Sequence, residues 1–218
     1  MIRVEVKGDF ACFSRPEFKA ERVSYDIITP SAARGILESV FWHPGMRYIV
    51  NKIYLLSQIT FTNIKRNEVA SKVSASNVQK VINKGRGELY LATPLDIQQR
   101  ATMLLKNVHY IIEAHFEMTE KANSTDNSGK FQEMLKRRLR KGQNFHQPYL
   151  GCREFPAQVS LFEGDIKNLK PAYADEEKDL GFMLYDMDYS NKENIVPMFF
   201  RAVLKNGVID LTDCEVHK

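Results

Sequence analysis

Lys130, Lys136, Arg137, Arg140 and Lys141 fall inside one short segment, residues 129–157, GKFQEMLKRRLRKGQNFHQPYLGCREFPA. At about 100° per residue along a helix, Phe131, Leu135 and Leu139 form one stripe. Lys130, Arg137 and Lys141 form another, with Lys136 and Arg140 beside it. Such a helix buries one face and turns a dense cationic face outward. Gly142 sits where a C-terminal stop is expected, and cations in the last turn suit the negative end of the helix dipole. Two readings are open. The cations face phosphates, with Arg153 in the following loop as a further contact, or they form a solvated charged face. The glycine- and aromatic-bearing loop that follows adds weight to the first.

Other chemistry is less well supported. His109 and His115 are six residues apart in an alternating stretch, about 20 Å along a strand, too far to share a metal. Asp186 and Asp188 in YDMDY form a lone Asp-x-Asp, commonly just surface polarity. No phosphate-binding loop, dinucleotide fingerprint, nucleophile elbow or His-Glu-x-x-His occurs. Metal-independent RNA cleavage demands the least. The substrate's 2′-hydroxyl attacks the adjacent phosphate, a base removes its proton, a cation stabilises the phosphorane and an acid protonates the leaving 5′-oxygen. Lysine, histidine and tyrosine beside a basic groove suffice, with no fixed spacing.

The positioning elements are read from periodicity. Ile2, Val4 and Val6 alternate with Arg3, Glu5 and Lys7, a half-buried strand ending near Gly8. Thr29-Pro30 starts a helix carrying Ala33, Ile36, Leu37, Val40 and Phe41, and Pro44-Gly45 ends it. Residues 46–62 read as strand, 63–87 as a polar loop with a short helix, and 88–105 as an extended piece interrupted at Pro94. The next strand, 108–118, puts Val108, Tyr110, Ile112, Ala114, Phe116 and Met118 on one side. His109, Ile111, Glu113, His115 and Glu117 lie on the other. Residues 119–129 read as a mobile polar linker. The basic helix follows, then a strand near 157–162.

This order predicts an α+β fold: a ferredoxin-like βαββαβ domain over 1–164 with an inserted hairpin region. A small C-terminal antiparallel β-sheet over 165–218 is expected from strand candidates at 181–187, 198–204 and 208–211. The Asn206-Gly207 pair between two of them marks a hairpin. The open face of such a sheet would carry Arg3, Glu5, Lys7, His109, Glu113, His115 and Glu117. That is a charge mosaic suited to cross-strand ion pairs, without the stacking aromatics of RNA-recognition domains.

With 44% hydrophobic and 27% charged residues, the chain has ample material for a core. A net charge of +4 permits a polyanionic partner without demanding one. Cys12, Cys152 and Cys214 have no metal-ligand spacing and cannot all pair, which favours a reducing compartment. No apolar run approaches the ~18 residues of a membrane helix. MIRVEV lacks the pattern of a signal peptide, so a cytoplasmic location is expected.

Several blocks together resemble a known family. KGDFACFSRPE (7–17), ERVSYDIITPSAARGILESVFW (21–42), LLKNVHYIIEAHFEM (104–118), GKF…LKRRLRKG and PYLGCREFPA (148–157) occur in family order. They are similar to the CRISPR-associated Cas-five proteins of subtype I-C (Dvulg), within the RAMP superfamily. The resemblance implies a RAMP-type domain with a C-terminal β-sheet. It implies a repeat-specific endoribonuclease that cuts the CRISPR precursor transcript without metal or other cofactor. It further implies retention of the mature guide RNA's 5′ handle, with the backbone and large subunits of the interference complex as partners. A non-catalytic RNA-binding scaffold and a metal-dependent DNA nuclease are the rival readings.

In that family a tyrosine near the end of the first helix and a Lys-His pair opening the second are catalytic. Here the matching positions hold Phe41 and Lys130-Phe131. Lys130 alone carries over, and neither phenylalanine can exchange a proton. Both continue apolar stripes and are expected in the core. Candidate replacements for the missing base are His146 and Tyr25, followed by His43.

Overall fold

The computed structural model describes residues 1–18 and 20–218. It is an α+β fold dominated by one antiparallel sheet. β1 (Ile2–Ala11) alternates as read and runs past Gly8. Its neighbours are the antiparallel β5 (Ile97–Met118) and β6 (Gln158–Leu161). β3 (Met46–Leu55) flanks β5 on the other side, giving the order β3-β5-β1-β6. β2 (Arg22–Val23) adds a short parallel pairing to β5.

α1 (Pro30–Val40) begins as its sequence dictates. The Thr29 hydroxyl accepts the Ala32 N–H and Pro30 occupies the first turn. It buries Ala33, Ile36, Leu37 and Val40. α3 (Ser128–Arg140) buries Phe131, Leu135 and Leu139, the stripe read from the wheel. These side chains join Val4, Val6, Val108, Tyr110, Ile112 and Ala114 in one core. The opposite face of β1 and β5 carries two cross-strand pairs, Arg3–Glu113 at 2.7 Å and Glu5–His109 at 2.8 Å, and one pair along β1, Glu5–Lys7 at 2.8 Å.

The middle of the chain differs from its reading. β4 (Phe61–Val69) and the first half of β5 form a long hairpin arm, with α2 (Ala75–Lys84) at its end. The two pieces expected at 88–105 and 108–118 are largely one continuous 22-residue strand, with Asn107 at φ 54 where they meet. α2 buries no residue. Its Val78, Val81 and Ile82 recur at helical spacing, yet this stripe meets no core.

Beyond β6 lie β7 (Glu177–Asp188), β8 (Val196–Lys205), β9 (Val208–Asp210) and β10 (Val216–His217). β7 and β10 pair with β8, and β9 joins them to β3, continuing the sheet. Asn206 and Gly207 both take positive φ, 51° and 74°, as a type I′ turn requires. All three cysteines are free thiols.

Candidate active site and nucleic-acid interface

The segment 119–127, expected as a mobile linker, is instead folded against the junction of α1 and β3. The Thr119 hydroxyl donates to the Pro44 carbonyl at 2.6 Å, and the Thr119 N–H donates to the Gly45 carbonyl at 2.9 Å. Turns at Ala122 and Asp126 follow. Gly45 permits this close approach, since a Cβ there would lie 2.8 Å from the Ala122 Cα. The Asn127 side chain then accepts the Lys130 N–H at 2.8 Å and starts α3.

This packing brings three polar groups together. The Lys130 Nζ lies 3.3 Å from Asp126 Oδ1, and His43 Nδ1 lies 3.8 Å from Oδ2. The Asp126 side chain is 4% exposed, whereas that of Lys130 is 47% exposed. The ammonium is thus tethered yet open to solvent. The Asn123 N–H, then Lys130 and His43, hold the Asp126 carboxyl below the ordinary carboxylate range. His43 Nδ1 accepts the Gly45 N–H at 3.0 Å. The neutral ring therefore carries its proton on Nε2. Protonating Nδ1 would exchange the Gly45 contact for Asp126.

Phe41 and Phe131 lie beneath this cluster, both buried, with ring centroids 5.8 Å apart. The Phe131 ring also packs 4.8 Å from the His43 ring and 6.4 Å from Phe116. The Arg138 guanidinium covers Phe41 at 5.2 Å and donates to the Val40 carbonyl at 2.8 Å. Phe131 forms the floor under His43, and Phe41 packs against Phe131.

One of the candidate bases is corrected. Tyr25 is 1% exposed, its hydroxyl accepts the Leu184 N–H at 3.3 Å, and burial raises its pKa. It is a core residue, with Arg15 over its ring at 4.6 Å, and cannot reach a substrate. His146 is exposed but follows the C-terminal end of α3, whereas Lys130 is at the other end. The His146 N–H donates to the Ser39 carbonyl at 3.1 Å and its ring packs on Phe145, not on Asp126. His43, placed last by sequence, is the histidine beside Lys130. Asp126 was missed; its signal is the spacing of four residues before Lys130, next to an Asn helix cap.

The cations of α3 divide by partner. Lys136 pairs with Glu133 at 3.2 Å, and Arg140 donates through two nitrogens to Glu163 at 2.8 and 3.0 Å. Arg137 and Lys141 are exposed and form no ion pair among the described residues. Arg153 is exposed on the turn between α3 and β6. Away from this region, Asp186 pairs with Arg34 at 2.8 Å and Asp188 with Lys218 at 2.6 Å. Among the described residues, no three His, Cys, Asp or Glu side chains are grouped to hold a metal. No helix among the described residues is long and apolar enough to cross a membrane.

An α+β fold built on one antiparallel sheet is that of a class of CRISPR-associated proteins. The profile described as "CRISPR-associated protein (Cas_Cas5)" matches residues 1–212, and the chain belongs to this family. It is 48% identical over 213 residues to the "CRISPR pre-crRNA endoribonuclease Cas5d" of Mannheimia succiniciproducens, covering 96% of this chain and 94% of that protein. It is 37% identical over 227 residues to a protein of the same description from Thermus thermophilus, covering 96% and 90%. A solved structure titled "Crystal Structure of CRISPR-associated Protein" superposes with a TM-score of 0.71 at 23% identity, covering 100% of this chain and 96% of that one. This last likeness is one of fold.

Proposed function

We infer that the chain is an endoribonuclease that cuts a CRISPR precursor transcript within its repeat. The kinship to the two proteins named for that activity supports the reading. The observation that carries it here is Lys130, half exposed and tethered with His43 to the one carboxylate of Asp126.

The chemistry follows from these groups. The substrate's 2′-hydroxyl gives up its proton to solvent water as its oxygen attacks the adjacent phosphorus, and the bond from phosphorus to the 5′-oxygen breaks. The products are a 2′,3′-cyclic phosphate and a 5′-hydroxyl. The Lys130 ammonium stabilises the charge that gathers on the phosphorane oxygens. Protonated His43, held through Nδ1 toward Asp126, gives its Nε2 proton to the leaving 5′-oxygen. Asp126 orients both without touching the substrate. Arg137 and Lys141 guide the phosphate backbone, and Lys136, Arg140 and Arg153 supply a wider positive field.

The order β3-β5-β1-β6 supports a ferredoxin-like βαββαβ core. The arm of β4, α2 and β5 is then the inserted region, and residues 165–218 are the C-terminal appendage of a 1–164 domain. Retention of the guide RNA, docking to the backbone and large subunits of an interference complex, and a cytoplasmic location complete the proposal. All three rest on the family. Incubating the protein with repeat RNA and with duplex DNA, in EDTA and in magnesium, tests it. RNA cut in EDTA with cyclic-phosphate ends supports it. DNA cut only in magnesium overturns it.

A second reading, an RNA-binding subunit without cleavage, is favoured by Phe41 and Phe131. Buried rings stand at two positions where the resemblance implies a tyrosine and a histidine. Repeat RNA bound tightly but left intact would select this reading.

A further inference from the structure

The far end of α3 carries a second feature, separate from the Lys130 cluster. Arg137, Arg138, Gly142, Gln143, Asn144 and Phe145 line a groove of about 570 Å³. None of these residues is acidic. The loop forming one wall is anchored. The Ser39 carbonyl accepts the N–H groups of both Phe145 (2.8 Å) and His146 (3.1 Å), and Gln143 N–H donates to the Arg138 carbonyl at 2.9 Å. The Phe145 ring nevertheless stands 72% exposed. Its ring meets the His146 imidazole edge-on, with centroids 4.4 Å apart at 65°. Its backbone is therefore fixed while its ring remains available. The side-chain amides of Gln143 and Asn144 hydrogen-bond to no other described residue.

We propose that this groove binds one unpaired RNA nucleotide, whose base stacks on Phe145, whose edge is met by the Gln143 and Asn144 amides, and whose phosphate faces Arg137. The proposal rests on the RNA-processing reading and adds the element of RNA that is recognised. Each part of the site matches a separate part of a nucleotide. An aromatic face held on a fixed backbone stacks a base at little entropic cost. Neighbouring amides supply donors and acceptors for a base edge. An unpaired guanidinium suits a phosphate. Bases inside an RNA duplex are stacked on each other, so only an unpaired nucleotide can enter. Arg137 lies seven residues from Lys130, about 10 Å along α3, so the nucleotide held here is not the one cleaved.

The test measures affinity of the full chain for two RNAs, one a repeat hairpin with a single-stranded flank and the other a blunt duplex. Phe145→Ala is expected to weaken binding of the flanked RNA by about 5- to 150-fold. The slope of log affinity against log salt should not change, because stacking displaces no counterion. Phe145→Trp should retain wild-type affinity. Arg137→Ala should lower that slope by about one unit. Affinity for the blunt duplex should be insensitive to Phe145. Wild-type affinity of Phe145→Ala for the flanked RNA overturns the site alone. An equal loss of affinity for both RNAs also overturns it. Failure of the wild-type protein to bind repeat RNA overturns the site together with the RNA-processing reading.

Discussion

Lys130 Nζ lies 3.3 Å from Asp126 Oδ1, one helical turn earlier in the chain, and the same carboxylate faces His43 Nδ1 at 3.8 Å. Asp126 therefore stands between the Lys130 ammonium and the His43 imidazole. Asp126→Asn should reduce RNA cleavage by roughly 10-fold, since small displacements of catalytic groups are costly. RNA affinity should hold. Single-turnover cleavage rates compared with equilibrium binding check this, and an equal loss of both would deny Asp126 an orienting role.

The same carboxylate makes a pH prediction. Its folded pKa is lowered, first by the Asn123 N–H and then by Lys130 and His43. A lowered carboxylate stabilises the fold above its unfolded pKa, and that contribution is lost as pH falls through the lowered value. Wild type should therefore melt higher than Asp126→Asn at neutral pH. The two should converge in strong acid, below the ordinary aspartate range. Melting temperatures across an acid series measure the convergence.

His43→Ala should slow cleavage by about 10²-fold or more while RNA affinity is retained. His146→Ala should leave the cleavage rate close to wild type in saturating RNA, because the His146 ring packs on Phe145 whereas His43 is the histidine facing Asp126. The reverse pattern would return the proton-transfer role to His146.

Phe131 is 1% exposed among Phe41, His43 and Phe116. Phe131→Ala should cost about 3–5 kcal/mol in chemical denaturation. Phe131→His restores the Lys-His pair of the family resemblance, yet buries an imidazole among aromatic rings. It should destabilise by about 1–3 kcal/mol and leave cleavage no faster. A clear gain in rate would show that the ring at 131 reaches the substrate.

The sequence readings succeeded where one face of an element is buried. β1, α1, the second half of β5 and α3 each meet the core on one side, so their apolar residues recur at the period of the element. The Asn206-Gly207 turn was legible because both residues tolerate positive φ. The arm was less legible as a unit, because neither β4 nor α2 fully buries a residue against the core that would tie it to the rest of the fold. At the site, Lys130 was reached through family resemblance. Asp126 was hidden in a polar stretch that composition alone marks as linker; what folds it is contact with Pro44 and Gly45. Tyr25 was misread for a similar reason. Its hydroxyl partner, the Leu184 N–H, lies 159 residues away in sequence and leaves no local trace.

The most direct test follows repeat RNA cleavage in EDTA, using an all-ribose substrate and one with a single 2′-deoxy nucleotide at the scissile position. Both are offered to wild type and Lys130→Ala. Wild type should cut the all-ribose RNA to 2′,3′-cyclic phosphate and 5′-hydroxyl ends and bind the deoxy substrate without cutting it. Lys130→Ala should cut about 10²-fold more slowly with affinity little changed. Cleavage of the deoxy substrate at the same bond, or an undiminished rate in Lys130→Ala, would contradict 2′-oxygen attack stabilised by Lys130.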